Sequence, residues 1–189
     1  DNGVAWFFVS ELEVCYAEAL MSRTPLATLW EIDMGGSTYQ SGIRKKGSTD
    51  DPYSYFLVRH GGAICGLDAS AQCEIKIENA AVKYYLLGYI TSGVTMLTNG
   101  TDYSLDNTGS WTDLSLLPEG ATGGYFLLSN KDTWTTYGGL RENGASEDLM
   151  CRLDRQIHLP VKCDAIRLVE GKINNTNVDF YLLGYATAG

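Results

Sequence analysis

Period-two alternation of apolar and polar side chains dominates the chain. In residues 73–78, Glu74, Lys76 and Glu78 alternate with Cys73, Ile75 and Ile77, the pattern of a strand with one face in a core and one in water. Residues 82–87 (VKYYLL) and 178–183 (VDFYLL) are apolar and aromatic enough for central strands. A third such run, YFLL at 125–128, follows Gly123 and Gly124. Turn signals separate these runs: Asn99-Gly100, Asp106-Asn107, Thr108-Gly109, Pro118-Glu119-Gly120 and Asn143-Gly144. Residues 10–21 are the one helix-like stretch. Their match in the second half, residues 104–117, contains Gly109 and reads as strand and loop.

The pattern occurs twice. Residues 74–93 (EIKIENAAVKYYLLGYITSG) and 170–189 (EGKINNTNVDFYLLGYATAG) are identical at 12 of 20 positions without a gap, at an offset of 96. Residues 42–51 match 139–148 at offset 97, His60 matches His158 at 98, and Ala27-Thr28 matches Ala121-Thr122 at 94. Constant order with a drifting offset is what loop-length changes between retained strands produce. The expected organisation is therefore two tandem units, residues 1–93 and 94–189. Each is expected to be an all-β antiparallel sandwich, jelly-roll-like, with its LLGY strand in the equivalent place.

Composition narrows the function classes. The formal net charge of −9 argues against a nucleic-acid partner, whose phosphates demand a basic face. No apolar run reaches the roughly 18 residues of a membrane helix, so no membrane insertion is expected. The chain opens on Asp1 rather than Met, which fits a cleaved leader.

Few residues invite chemistry. His60 and His158 lack a nearby nucleophile motif, and no G-x-S-x-G, H-E-x-x-H or phosphate loop occurs. Both read as hydrogen-bonded histidines at strand ends, and no enzyme activity is expected. Arg44 and Arg141 lie in matched G-[IL]-R-x-x-G segments. They suit either a carboxylate-binding fork or a tie from a loop to backbone carbonyls, and their recurrence favours the tie. Asp50-Asp51 and Glu147-Asp148 lack calcium-loop spacing and read as solvated loops. Trp6, Trp30, Trp111 and Trp134 show no shared spacing that would make a carbohydrate platform. Asn99 and Asn174 begin N-x-[ST] sequons and are glycosylation candidates. No metal or other cofactor is expected.

Of five cysteines, Cys65 and Cys73 flank seven residues. If these form a hairpin loop, the two face each other on paired strands within disulfide reach. Val161 and Val169 hold the matching places in the second unit. The alternative is two buried free thiols; a bridge would indicate an oxidising setting. Trp6, Phe7, Phe8 and Val9 form an apolar segment expected to pair with another subunit or lie across the second unit.

The G-[IL]-R-x-x-G segments, the downstream histidines and the closing [FY]-Y-L-L-G-Y resemble a β-sandwich repeat of phage and other virion surface proteins and of secreted microbial structural proteins. The resemblance covers about a fifth of the chain and implies a structural or attachment role in an extracellular or virion-surface setting. The expected function is a non-enzymatic structural subunit of a fibre, virion appendage or extracellular filament. Its partners would be copies of itself or other such subunits. The alternative is a glycan-binding adhesion module.

Overall fold

The structure, a computed structural model, describes residues 7–9, 24–35, 39–52, 54–55, 60–106, 109–132 and 136–188. The helix-like stretch at 10–21, Cys15, Trp6 and Trp134 lie outside the described residues.

Among the described residues the first unit contributes seven strands: β1 (Phe7–Val9), β2 (Ala27–Asp33), β3 (Gln40–Lys45), β4 (Ser54–Tyr55), β5 (His60–Gly66), β6 (Cys73–Ile77) and β7 (Lys83–Ile90). They form antiparallel sheets ordered β1-β6-β3-β4 and β5-β2-β7. The second contributes β8 (Val94–Asp102), β9 (Thr112–Asp113), β10 (Ala121–Asn130), β11 (Thr136–Glu142), β12 (Cys151–Leu153), β13 (Gln156–Lys162), β14 (Val169–Ile173) and β15 (Val178–Thr187). Their sheets are ordered β9-β14-β11-β12 and β13-β10-β15-β8. Among the described residues no sheet mixes strands from the two sides of residues 91–93, where Gly93 takes a φ of +72°. Glycine adopts that left-handed conformation without a Cβ penalty, which lets the chain leave β7 and enter β8 almost at once.

The alternating pattern builds two separate cores. One gathers Trp30, Ile32, Met34, Ile43, Ala63 and Val82. The other gathers Leu117, Phe126, Leu128, Leu153, Ile173, Phe180 and Leu182. Phe126, Leu128 and Phe180 are wholly buried, each worth about 1.5–3 kcal/mol of transfer free energy.

Strand pairing gives the true equivalences. Trp30 opposes Leu86 and Phe126 opposes Leu182, so β2 matches β10 at offset 96. The Ala27–Ala121 match at offset 94 is therefore a local coincidence: Ala27 opposes Ile90, while Gly123 opposes the corresponding Ala186. The two histidines are also not equivalent. His158 opposes Leu127, and its counterpart is Gly62, opposite Glu31; His60 corresponds to Gln156. Both units carry the same bulge in the LLGY strand, leaving Leu87 and Leu183 outside the pairing. A bulge re-aims its extra residue and sharpens the local twist.

β1 and β9 occupy one position. Phe8 opposes Glu74 and Asp113 opposes the matching Glu170. The segment Phe7–Val9 thus pairs with β6 of its own unit, where the sequence pointed to another subunit or the second unit. Trp6 and Trp111 stand immediately before these strands, at an offset of 105, so an insertion hides a tryptophan correspondence that spacing alone did not reveal.

Candidate functional site: the seam between the units

The units meet end on face. A loop at the end of the first unit lies against β8 and the outer face of the β13-β10-β15 layer. Arg44 holds that loop. Its Nε donates to Glu74 Oε2 at 2.6 Å and its Nη1 to the Asp50 carbonyl at 2.5 Å. The pair is largely enclosed, with side chains 16% and 10% exposed. A planar fork is what lets one side chain bind a carboxylate and a carbonyl together. Arg141 repeats the arrangement with Glu170 Oε2 at 2.6 Å and the Glu147 carbonyl at 2.8 Å. Both arginines therefore position loops.

The positioned loop stitches the seam. Asn99 Oδ1 accepts from Ser48 Oγ at 3.0 Å and from the Thr49 amide at 2.9 Å. The Gly100 amide donates to Asp50 Oδ2 at 2.5 Å, and Lys45 Nζ donates to the Met96 carbonyl at 2.8 Å. The pairing of β8 with β15 explains why β8 can reach across. Met96 opposes Gly184 and Thr101 opposes Leu182, so residues 97–100 bow out beside Leu183 and present Asn99 and Gly100 to the first unit.

Below this stitch lies a cleft of about 370 Å³. From the first unit it is lined by Arg44, Asp50, Pro52 and Ile64, and from the second by Leu127, Ser129, Lys131, His158, Tyr181 and Leu183. The Ile64 amide donates to His158 Nδ1 at 3.4 Å. Burial pushes the His158 imidazole down to about 4, so at neutral pH it is an uncharged acceptor. Lys131 pairs with Asp179, and that hydrogen bond raises the ammonium above its usual range. Tyr181 Oη donates to Asp179 Oδ2 at 2.9 Å.

The remaining candidates lie apart from the seam or are engaged elsewhere. His60 is exposed, with Nδ1 3.2 Å from Glu31 Oε1. Asp51 pairs with Lys76 at 3.4 Å and Asp148 with Lys172 at 2.8 Å. The Lys172 contact, and then a hydrogen bond from Trp111, hold the Asp148 carboxyl below its usual range. Among the described residues no group of three or more His, Cys, Asp or Glu converges as a metal site. Trp30 is core, 4% exposed. Trp111 has Arg141 over its ring at 4.3 Å, so its face is occupied. Asn174 Oδ1 accepts from the Tyr137 amide at 2.7 Å; like Asn99, it is exposed.

Cys65 and Cys73 are buried free thiols here. They are not cross-strand partners, because β5 pairs with β2 while β6 pairs with β3 and β1. The intervening segment crosses between sheets, its turn closed by Asp68 Oδ1 accepting the Ser70 and Gln72 amides. The thiols meet across the sandwich. Burial pushes Cys65 up, and a hydrogen bond from it lowers Cys73.

No protein-family model, curated protein or solved structure matches this chain.

Proposed function

We propose that this chain is a non-enzymatic structural subunit that self-assembles into a fibre, virion appendage or extracellular filament. The observation that carries the reading is the seam. Two sandwiches joined by a three-residue turn are further tied by four hydrogen bonds between the Lys45–Asp50 loop and β8. Such a joint makes a stiff rod segment, where a longer flexible linker would let the units move independently. The virion or cell-surface setting rests on the sequence resemblance. The test is negative-stain microscopy and light scattering of the purified chain over a concentration series. Ordered filaments or higher oligomers are the expected result, and a monodisperse monomer throughout overturns the reading.

A glycan-binding adhesion module is the second reading, and the cleft favours it. Arg44, Lys131, His158 and Tyr181 set polar groups among Leu127 and Leu183, the mix that orients a small polar ligand. A glycan array tests it, with His158→Gln as the control expected to lose any signal.

A further inference from the structure

We infer that the seam inside one chain is repeated between chains: the Arg141 loop end of one copy docks on the outer face of the β5-β2-β7 sheet of a second copy. This deepens the self-assembly reading and rests on it.

The ground for it is the duplication. The seam has two sides, and each side has a counterpart elsewhere in the chain. Tyr181 and Leu183 on the seam face correspond to Tyr85 and Leu87. Pro52 on the docking end corresponds to Leu149 at the motif offset of 97. Leu149 and Leu87 are the two most exposed large apolar side chains among the described residues, at 68% and 65%, and Tyr85 is 52% exposed. Exposed apolar groups on a soluble domain are informative when they cluster on surfaces of defined shape. Here the two most exposed sit on the two surfaces whose counterparts already fit each other.

The polar substitutions agree on both sides. In the seam the Ile64 amide donates to His158. Between copies the matching pair is Pro160 and Gly62; the donor and the acceptor are lost together, so docking strands neither. Lys45, Ser48 and Asp50, which reach β8, become Glu142, Ala145 and Glu147. Among the described residues β7 has no fourth strand beside it, so a docking end has no bowed strand to reach. Glu142 instead pairs with its own Lys162 at 2.7 Å. The face gains Glu31 and Asp33 where the seam has Leu127 and Ser129, and the docking end gains Lys162 where the seam has Gly66. Lys162 is itself held by Glu142 and the end also carries Glu147, so the fit rests on the apolar groups rather than on charge. The contact is heterologous, using different patches on each copy, so it need not close and generates an open polymer.

The test uses the full chain with Leu87→Arg, Tyr85→Arg and Leu149→Arg, read by sedimentation velocity, with circular dichroism confirming the fold. The wild type is expected to polymerise and each variant alone to stay monomeric. An equimolar mixture of Leu87→Arg and Leu149→Arg should form a dimer and stop, because it retains one intact face and one intact end. Tyr85→Arg replaces Leu87→Arg if that variant misfolds. A wild type that polymerises together with variants that still polymerise, or with a mixture that stays monomeric, overturns this interface and leaves self-assembly standing. A wild type that is monomeric at every concentration overturns both.

Discussion

β7 and β15 carry nearly the same residues, KYYLLGYI against DFYLLGYA, and live in different surroundings. β15 is paired on both sides, by β10 and β8, and its Tyr181 and Leu183 line the cleft. β7 is paired with β2, and among the described residues nothing pairs with its other edge. Its Tyr85 and Leu87 stand in solvent. Both strands share an inward aromatic, Tyr84 or Phe180, the inward leucine and the bulge, so the local sequence specifies the strand and its core face. Whether the outer face is dry depends on which element packs over it. An LLGY strand is suited to both states because its outward residues are apolar enough to be covered, yet few enough to face water.

The contrast between the two strands is broken most severely by charging the covered leucine. Leu183→Arg should destabilise the protein by about 2–3 kcal/mol, since it places a cation in a half-buried cleft, whereas Leu87→Arg should stay within about 0.5 kcal/mol in the unassembled chain. Urea midpoints of the two variants measure the gap, and equal losses would mean that the seam does not exclude water. The glycine of the motif gives a smaller contrast. A Cβ at Gly184 would lie 2.7 Å from the Thr95 carbonyl, backbone that must move, while a Cβ at Gly88 meets nothing within 4 Å. Gly184→Ala should cost roughly 1–3 kcal/mol. Gly88→Ala should be neutral or stabilise by up to about 1 kcal/mol, by restricting the unfolded chain. If Gly184→Ala is also neutral, β8 is not held against β15 as described.

A third contrast is with pH. The folded state holds His158 at about 4, below the roughly 6.5 of an unfolded histidine. The unfolded chain therefore binds the proton more readily between those values, and stability falls as pH drops from about 6.5 toward 4. It is fully present above that range. His158→Gln should flatten that part of the stability–pH curve; an unchanged slope would mean that the imidazole is already solvated. The smallest effect concerns the thiols. Cys65→Val with Cys73→Val copies the second unit's Val161 and Val169 and should shift stability by less than about 1 kcal/mol. Alkylation of the unreduced, denatured wild type should label both cysteines, and protection of both would point to a bridge instead.

The parts legible in the sequence are those governed by local pattern. Period-two runs mark the core strands, the 96-residue repeat divides the chain where its sheets divide, and the recurring arginines point to loop ties. Several expectations fail, three of them for reasons that pairing and connection length make plain. The segment between Cys65 and Cys73 has a length that serves a hairpin or a sheet crossing equally, and only strand pairing separates them. The histidines look equivalent because a shared letter two residues out of register keeps the same side of a strand. The tryptophan before β1 and that before β9 are hidden by unequal connections to β2 and β10, 17 residues against seven. The seam is not legible in the sequence at all. Its residues are ordinary, and what distinguishes Leu183 from Leu87 is a neighbouring loop distant along the chain for one and absent, among the described residues, for the other.

The single-sided pairing of β7 leaves a signature in isotope exchange. Along an edge strand alternate amides point toward the partner and away from it. Those aimed at β2 are locked into its ladder, while those aimed outward have no strand to meet among the described residues. Deuterium should enter β7 at every second amide within the earliest time points, and β15, laddered on both flanks along much of its length, should take it up only as the second unit opens. Two stretches of nearly the same sequence would then keep time on different clocks, set by the company each strand keeps.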